Sequence, residues 1–183
     1  MRTKIKINNV QSLTDARYYA AMGVHYLGFS PSDVSPIAIK SIVEWVEGPS
    51  PILDIITEAD LQCLNQLPNI KGIHLLRPIE VIDYKGIIFE NIEPDSDALP
   101  GSHFQVVTLE KPFDKLENTF KKKLLQWSNE KPLWLTIPIN FVESYTSALP
   151  FEGLVLENKM VEQAVGIQDF DDMDRVFDLL NNI

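Results

Sequence analysis

The chain has 183 residues, with 26 acidic against 16 basic side chains and a net charge of −10. That length suits one domain, residues 1–183. Its 45% hydrophobic content is enough to fill a core, which excludes wholesale disorder. A pI near 4.7 argues against nucleic acid as a partner, and Lys121–Lys123 reads as a solvated helix face. Cys63, the lone cysteine, rules out an internal disulfide framework and a Cys-based zinc cluster. No apolar run approaches the roughly 18 residues of a membrane span. The amino-terminal segment, with Arg2, Lys4 and Lys6, lacks the apolar stretch of a secretory signal, so the default expectation is a cytoplasmic protein.

Residues 3–9 alternate Ile5 and Ile7 with Lys4 and Lys6, which predicts a strand. Ser12-Leu13-Thr14-Asp15 reads as a capping box opening a helix that runs to Gly23. A strand at Tyr26–Ser30 follows. Ser35-Pro36 then starts a second helix, which buries Ile39, Ile42, Val43 and Val46 and ends at Gly48. Pro51–Ile56 is strand-like, Ala59–Leu67 helical and Gly72–Leu75 strand-like. Residues 78–85 have room for two turns of helix at most before a strand at Gly86–Ile92.

Glu93–Ser102, with two prolines and a glycine, is a loop without a helix signal. A strand at Phe104–Leu109 leads to a long helix whose face holds Phe113, Leu116, Phe120, Leu124 and Trp127. Pro132–Pro138 is strand-like, Phe141–Leu149 weakly helical and Gly153–Glu157 strand-like. A last helix opens near Asp169 and buries Phe170, Met173, Val176, Phe177 and Leu180. Trp45, Phe120, Trp127 and Phe177 read as packing residues, and Cys63 as a packed helical thiol.

Eight strands, most followed by a helix, point to a closed parallel (β/α)8 TIM barrel of the α/β class. Such barrels usually need about 250 residues, so the expectation is a compact one with some helices shortened or missing.

Particular residues then point to a family. Lys6-Ile7-Asn8-Asn9-Val10-Gln11, Leu13-Thr14-Asp15-Ala16, Gly28-Phe29 and Val34-Ser35-Pro36 lie in one order at the start, and Gly166-Ile167-Gln168-Asp169 precedes the last helix. Together they resemble phosphoribosylanthranilate isomerase, whose first strand reads K-I-C-G-I-T. The resemblance implies an Amadori rearrangement of a phosphorylated aminoaldose in tryptophan biosynthesis. The family's base is the cysteine of K-I-C-G and its acid an aspartate ending the sixth strand. Here those positions hold Asn8 and Thr108. An amide has no pKa near neutrality and cannot take the proton, and Thr cannot serve as the acid.

Glu110, two residues beyond Thr108, is the candidate displaced carboxylate, and His74 is a candidate acid–base partner of Glu110 or of Glu157. By the same resemblance Lys6, Asn9, Asn140, Glu157, Asn158 and Lys159 are candidate ligand-binding residues. Glu157 sits where the family places a small serine near phosphate, and Lys159 would offset its charge. Lys6 is expected inside the barrel against Glu90 or Glu157, since a lone buried ammonium is costly. A metal site of Asp54, His74 and Glu157 has no supporting spacing, and no cofactor is implied.

Three functional readings stay open: a catalytically impaired isomerase homologue that binds a small molecule, phosphorylated or not; an active sugar-phosphate isomerase using Glu110 and His74; and a non-catalytic interaction protein. A homodimer formed through a bare face is expected in each.

Overall fold

The computed structural model describes residues 3–80, 84–97, 99–144, 150–158, 162–164, 167–168 and 170–181. Eight parallel strands close into a barrel in chain order: β1 (Lys4–Asn8), β2 (Tyr26–Phe29), β3 (Ser50–Ile55), β4 (Gly72–Leu75), β5 (Ile87–Asn91), β6 (Phe104–Thr108), β7 (Leu133–Thr136) and β8 (Gly153–Glu157). Lys6 lies opposite Val155 of β8, and this pairing of β1 with β8 closes the ring. The helices are α1 (Leu13–Ala21), α2 (Pro36–Trp45), α3 (Glu58–Gln62), α4 (Asn118–Glu130) and α5 (Asp171–Asn181). The expected compact (β/α)8 barrel is therefore what this chain forms.

Local chemistry sets the helix starts. Ser12 Oγ accepts from the Asp15 amide at 3.1 Å, while Asp15 Oδ2 takes the Ser12 amide at 3.0 Å. Asp60 Oδ2 likewise takes the Ile56 and Thr57 amides ahead of α3. Gly23 and Gly48, after α1 and α2, have φ of +76° and +108°, which other residues rarely adopt.

Economy comes from the connections. Among the described residues no helix joins β4 to β5 or β5 to β6; residues 81–83 of the possible short helix lie outside the description. In place of a helix, lysines of α4 and its end hold the 93–102 loop: Lys123 Nζ donates to Pro94 O at 3.0 Å and Lys131 Nζ to Pro100 O. Lys123 also stands 4.8 Å over the Trp127 ring.

Several local expectations change. The long helix begins at Asn118, because Phe113–Lys115 form a separate 3-10 turn after Pro112, and Leu116 and Glu117 are extended. The helix expected over Ala59–Leu67 becomes α3 followed by a 3-10 turn at Cys63–Gln66, with Cys63 partly buried against the core. Ile139–Ser144 is also 3-10; the rest of the weakly helical stretch, 145–149, is not described. An antiparallel pair, β9 (Glu162–Ala164) and β10 (Ile167–Gln168), stands between β8 and α5, where no strand was expected. Trp45 is not a packing residue: it is 69% exposed at the end of α2, whose buried face is carried by Ile39 and Ile42.

Two apolar layers result. Ile5, Ile7, Leu27, Leu53, Ile55, Ile73, Leu135 and Leu154 point outward under the helices. Ile52, Phe89, Val106, Trp134 and Val155 fill the lumen, with Tyr26, Ile87 and Phe104 packed against them. Phe89 and Tyr26 meet Trp134 edge-on, at 5.2 and 5.6 Å between ring centroids. Trp134 fits because β8 places Gly153 beside it: a Cβ there would stand 2.5 Å from the indole. Alanine at Gly153 should therefore destabilise the barrel by about 1–3 kcal/mol through overpacking, read as a lowered urea midpoint at unchanged slope.

Candidate functional site

Outward-facing Ile5 and Ile7 force Lys4, Lys6 and Asn8 of β1 toward the lumen. Lys6 is fully buried, and its ammonium lies 2.8 Å from Asp54 Oδ1 of β3. It also donates to Asn8 Oδ1. The pair crosses over β2 because the intervening inward residue is Gly28. A Cβ on Gly28 would fall 2.3 Å from Asp54 Oδ2 and 2.7 Å from Lys6 Nζ.

The network extends both ways. Asn8 Nδ2 donates to Glu157 Oε1 of β8 at 2.9 Å. On the other side, His74 Nδ1 of β4 lies 3.6 Å from Asp54 Oδ1, an electrostatic contact longer than a hydrogen bond. His74 Nε2 sits 2.9 Å from Asn91 Oδ1, while Asn91 Nδ2 faces Leu76 O at 3.4 Å. That amide orientation makes Nε2 the protonated nitrogen, so Nδ1 is a buried lone pair without a hydrogen-bond partner. Glu157, Asn8, Lys6, Asp54, His74 and Asn91 thus form one polar chain across the upper lumen.

Burial pushes the His74 imidazole below its usual 6.5, and the nearby Lys6 charge adds to this, outweighing Asp54 and Asn91. Burial alone would raise the Asp54 carboxyl. The Lys6 ammonium overcomes that cost and leaves it below 3.8. At neutral pH the site is a carboxylate–ammonium pair beside a neutral imidazole.

The structure joins four of the expected site residues, Lys6, Asn8, His74 and Glu157. Lys6 pairs with Asp54, not with Glu90 or Glu157. Glu90 neighbours lumenal Phe89 on β5 and so faces outward, and Glu157 reaches Asn8 instead. Thr108 ends β6, exposed, in register with Thr136 of β7. Glu110 lies beyond the strand, exposed, with no hydrogen bond or ion pair to a described residue. It does not meet His74, which is fully buried. His74 and Glu157 stand on β4 and β8, on opposite sides of the ring, and do not meet either. Among the described residues no three His, Cys, Asp or Glu side chains are grouped to hold a metal ion.

Asn9 has φ of +57°, the only non-glycine residue in that region among those described. Its position is the glycine of the K-I-C-G pattern, and Asn tolerates the same conformation. Asn158 is a latch: its Oδ1 accepts from Tyr19 OH at 2.8 Å, and its Nδ2 faces Asn9 O and Asp15 Oδ2 at 3.1 and 3.2 Å. Asn140 is exposed in the 3-10 turn after β7. Lys159 lies outside the described residues.

Asp54, Asn91 and Gly28 escaped the sequence reading as partners of Lys6 and His74. The available signal was Asp54 itself, a carboxylate inside the apolar run Pro51–Ile56, which demands a cation.

Two expectations follow. Asp54→Asn strands a buried ammonium and should cost about 3–5 kcal/mol, whereas Lys6→Met with Asp54→Leu should recover most of that loss; a double-mutant cycle in urea measures both. Second, between its folded and unfolded pKa values a group binds more protons when unfolded, so stability there rises with pH. Stability should therefore fall as pH drops below 6.5, through His74, and again below 3.8, through Asp54. His74→Gln should flatten the first limb of a urea-midpoint series from pH 7.5 to 3 and leave the second.

No family model matches the chain, and no curated protein matches it. Solved structures do. Phosphoribosylanthranilate isomerase from Thermus thermophilus superposes with a TM-score of 0.72 at 18% identity, covering 98% of each chain. Monomers generated from the dimeric isomerase of Thermotoga maritima give 0.72 at 14% identity over 99% of this chain and 100% of that one. The isomerase from Thermococcus kodakaraensis gives 0.67 at 9% identity, over 99% and 100%. This chain has the fold of the phosphoribosylanthranilate isomerases from end to end.

Proposed function

We propose that this protein is a non-isomerising relative of phosphoribosylanthranilate isomerase, with a small-molecule site at the carboxyl ends of its strands, where such barrels place their sites. The observation that carries this reading is the state of Asn8. It stands at the position of the family's base, and both ends of its amide are spent, on Lys6 and Glu157. Such a group lacks the basicity for abstracting a proton from carbon. Thr108, at the position of the acid, is a hydroxyl open to solvent.

Two features weigh against a phosphorylated ligand. Glu157 puts a carboxylate at the end of β8. The first turn of α5 carries Asp171, Asp172 and Asp174, acids that occupy the positive end of that helix, where an anion would otherwise settle. The remaining mouth groups, Thr108, Thr136 and the outer edge of Glu157, suit a hydroxylated molecule.

The test is a single-turnover assay with excess protein and freshly made phosphoribosylanthranilate, followed by loss of anthranilate fluorescence. Wild type should give only the spontaneous decay. Asn8→Cys with Thr108→Asp, run alongside, asks whether the pocket still seats that substrate; recovered decay would show that the pocket outlived the catalyst. Decay by the wild type above background, abolished by Glu110→Gln, would overturn the reading in favour of relocated catalytic groups.

A further inference from the structure

Three large apolar side chains stand exposed among the described residues, and two of them share one face of α2: Ile37 at 79% and Trp45 at 69%. Eight residues apart, they lie about 12 Å from each other along the axis. Ser41 stands midway, one turn from each, and is small and exposed, with its hydroxyl turned back to Ile37 O at 3.1 Å. Lys40 and Glu44, also exposed, flank the same stripe.

The pattern is complementary to itself. A second α2 laid antiparallel, on a two-fold axis beside Ser41, sets Trp45 of each copy against the Ile37–Ala38 turn of the other. The same operation brings Lys40 beside the partner's Glu44, and Glu44 beside the partner's Lys40. Such an isologous arrangement uses one patch twice, and every charge on it finds its opposite. A partner of unrelated sequence would have no reason to match this spacing and this order of charges.

We propose that α2 is the interface of a homodimer, with Trp45 as its anchor and Ser41 at the two-fold axis. A ten-residue helix buries an area at the small end of the specific range, below roughly 1,200 Å² in total. The dimer is therefore weak and exchanges in solution.

Geometry supplies a sharp test. Helices packed about 9–10 Å apart, as the bulk of Trp45 requires, with Cα atoms about 2.3 Å from each axis, bring the two Ser41 Cα atoms to roughly 4.4–5.4 Å. That separation suits a disulfide. In a Cys63→Ser background, Ser41→Cys should form a crosslinked dimer under mild oxidation, while Lys122→Cys on α4 should not. Sedimentation velocity of the wild type, over a series reaching several hundred micromolar, should show mass rising toward the dimer. Trp45→Glu should weaken association at least tenfold with an unchanged circular dichroism spectrum. Lys40→Glu should weaken it as well, and adding Glu44→Lys should restore it. If Trp45→Glu fails to fold, Ile37→Lys takes its place. A mass that stays monomeric throughout, association indifferent to Trp45 and Ile37, or crosslinking no better than at Lys122→Cys would overturn the proposal.

Discussion

A lysine with no exposed surface, inside a barrel otherwise filled with aromatic and branched side chains, constrains everything around it. Lys6 cannot be left alone in that medium, so the chain supplies Asp54 at 2.8 Å. Asp54 reaches it only because β2 contributes no side chain at Gly28. The remaining valences then determine the next shell. Asn8 turns its carbonyl to the ammonium, which commits its amino group to Glu157. His74, pressed between burial and a positive charge, stays neutral and directs its one proton to Asn91. The upper lumen is thus a single electrostatic object, assembled from β1, β3, β4, β5 and β8, with β2 absent by design of its glycine.

Below that layer the barrel is closed by bulk. Trp134 stands in the lumen, and Gly153 of β8 makes room for its indole. The consequence is a lower lumen filled by side chains. The connections follow the same economy: where no helix stands between β4 and β6 among the described residues, lysine side chains of α4 and its end hold the loop backbone. The exposed face of α2 is the exception. Its carbon surface faces solvent, although the helix has a well-formed buried side.

Much of this architecture was legible from sequence because it is written in local periods. Alternation of Ile5 and Ile7 with Lys4 and Lys6 sets both the strand and the inward lysine, and Ser12 with Asp15 gives the start of α1. What failed was non-local or depended on backbone detail. The partner of Lys6 lies 48 residues away, and choosing Asp54 over Glu90 requires knowing that Phe89 points inward. The start of α4 shifted because Leu116 takes an extended conformation that its apolar spacing does not reveal. Trp45 fits a helical pattern equally well whichever face it occupies; only the position of α2 against the sheet places it outside. The order of motifs, by contrast, is carried by local sequence, and Asn8 and Thr108 do end strands, β1 and β6.

On the proposed reading, Asn8 stands where the resemblance puts a base, and it also joins Lys6 to Glu157. A thiolate there would bring a second negative charge close to Glu157 and leave that carboxylate without its donor. A protonated thiol would leave Lys6 with a weaker acceptor than an amide carbonyl. Restoring the family's base is therefore opposed by the surrounding charges unless Glu157 changes too. The electrostatic chain that stabilises the barrel and the acid–base pair that would animate it compete for the same few ångströms at the end of β1. In this sequence the side-chain partners of Asn8, Lys6 on its own strand and Glu157 on β8, are arranged for the first of those two outcomes.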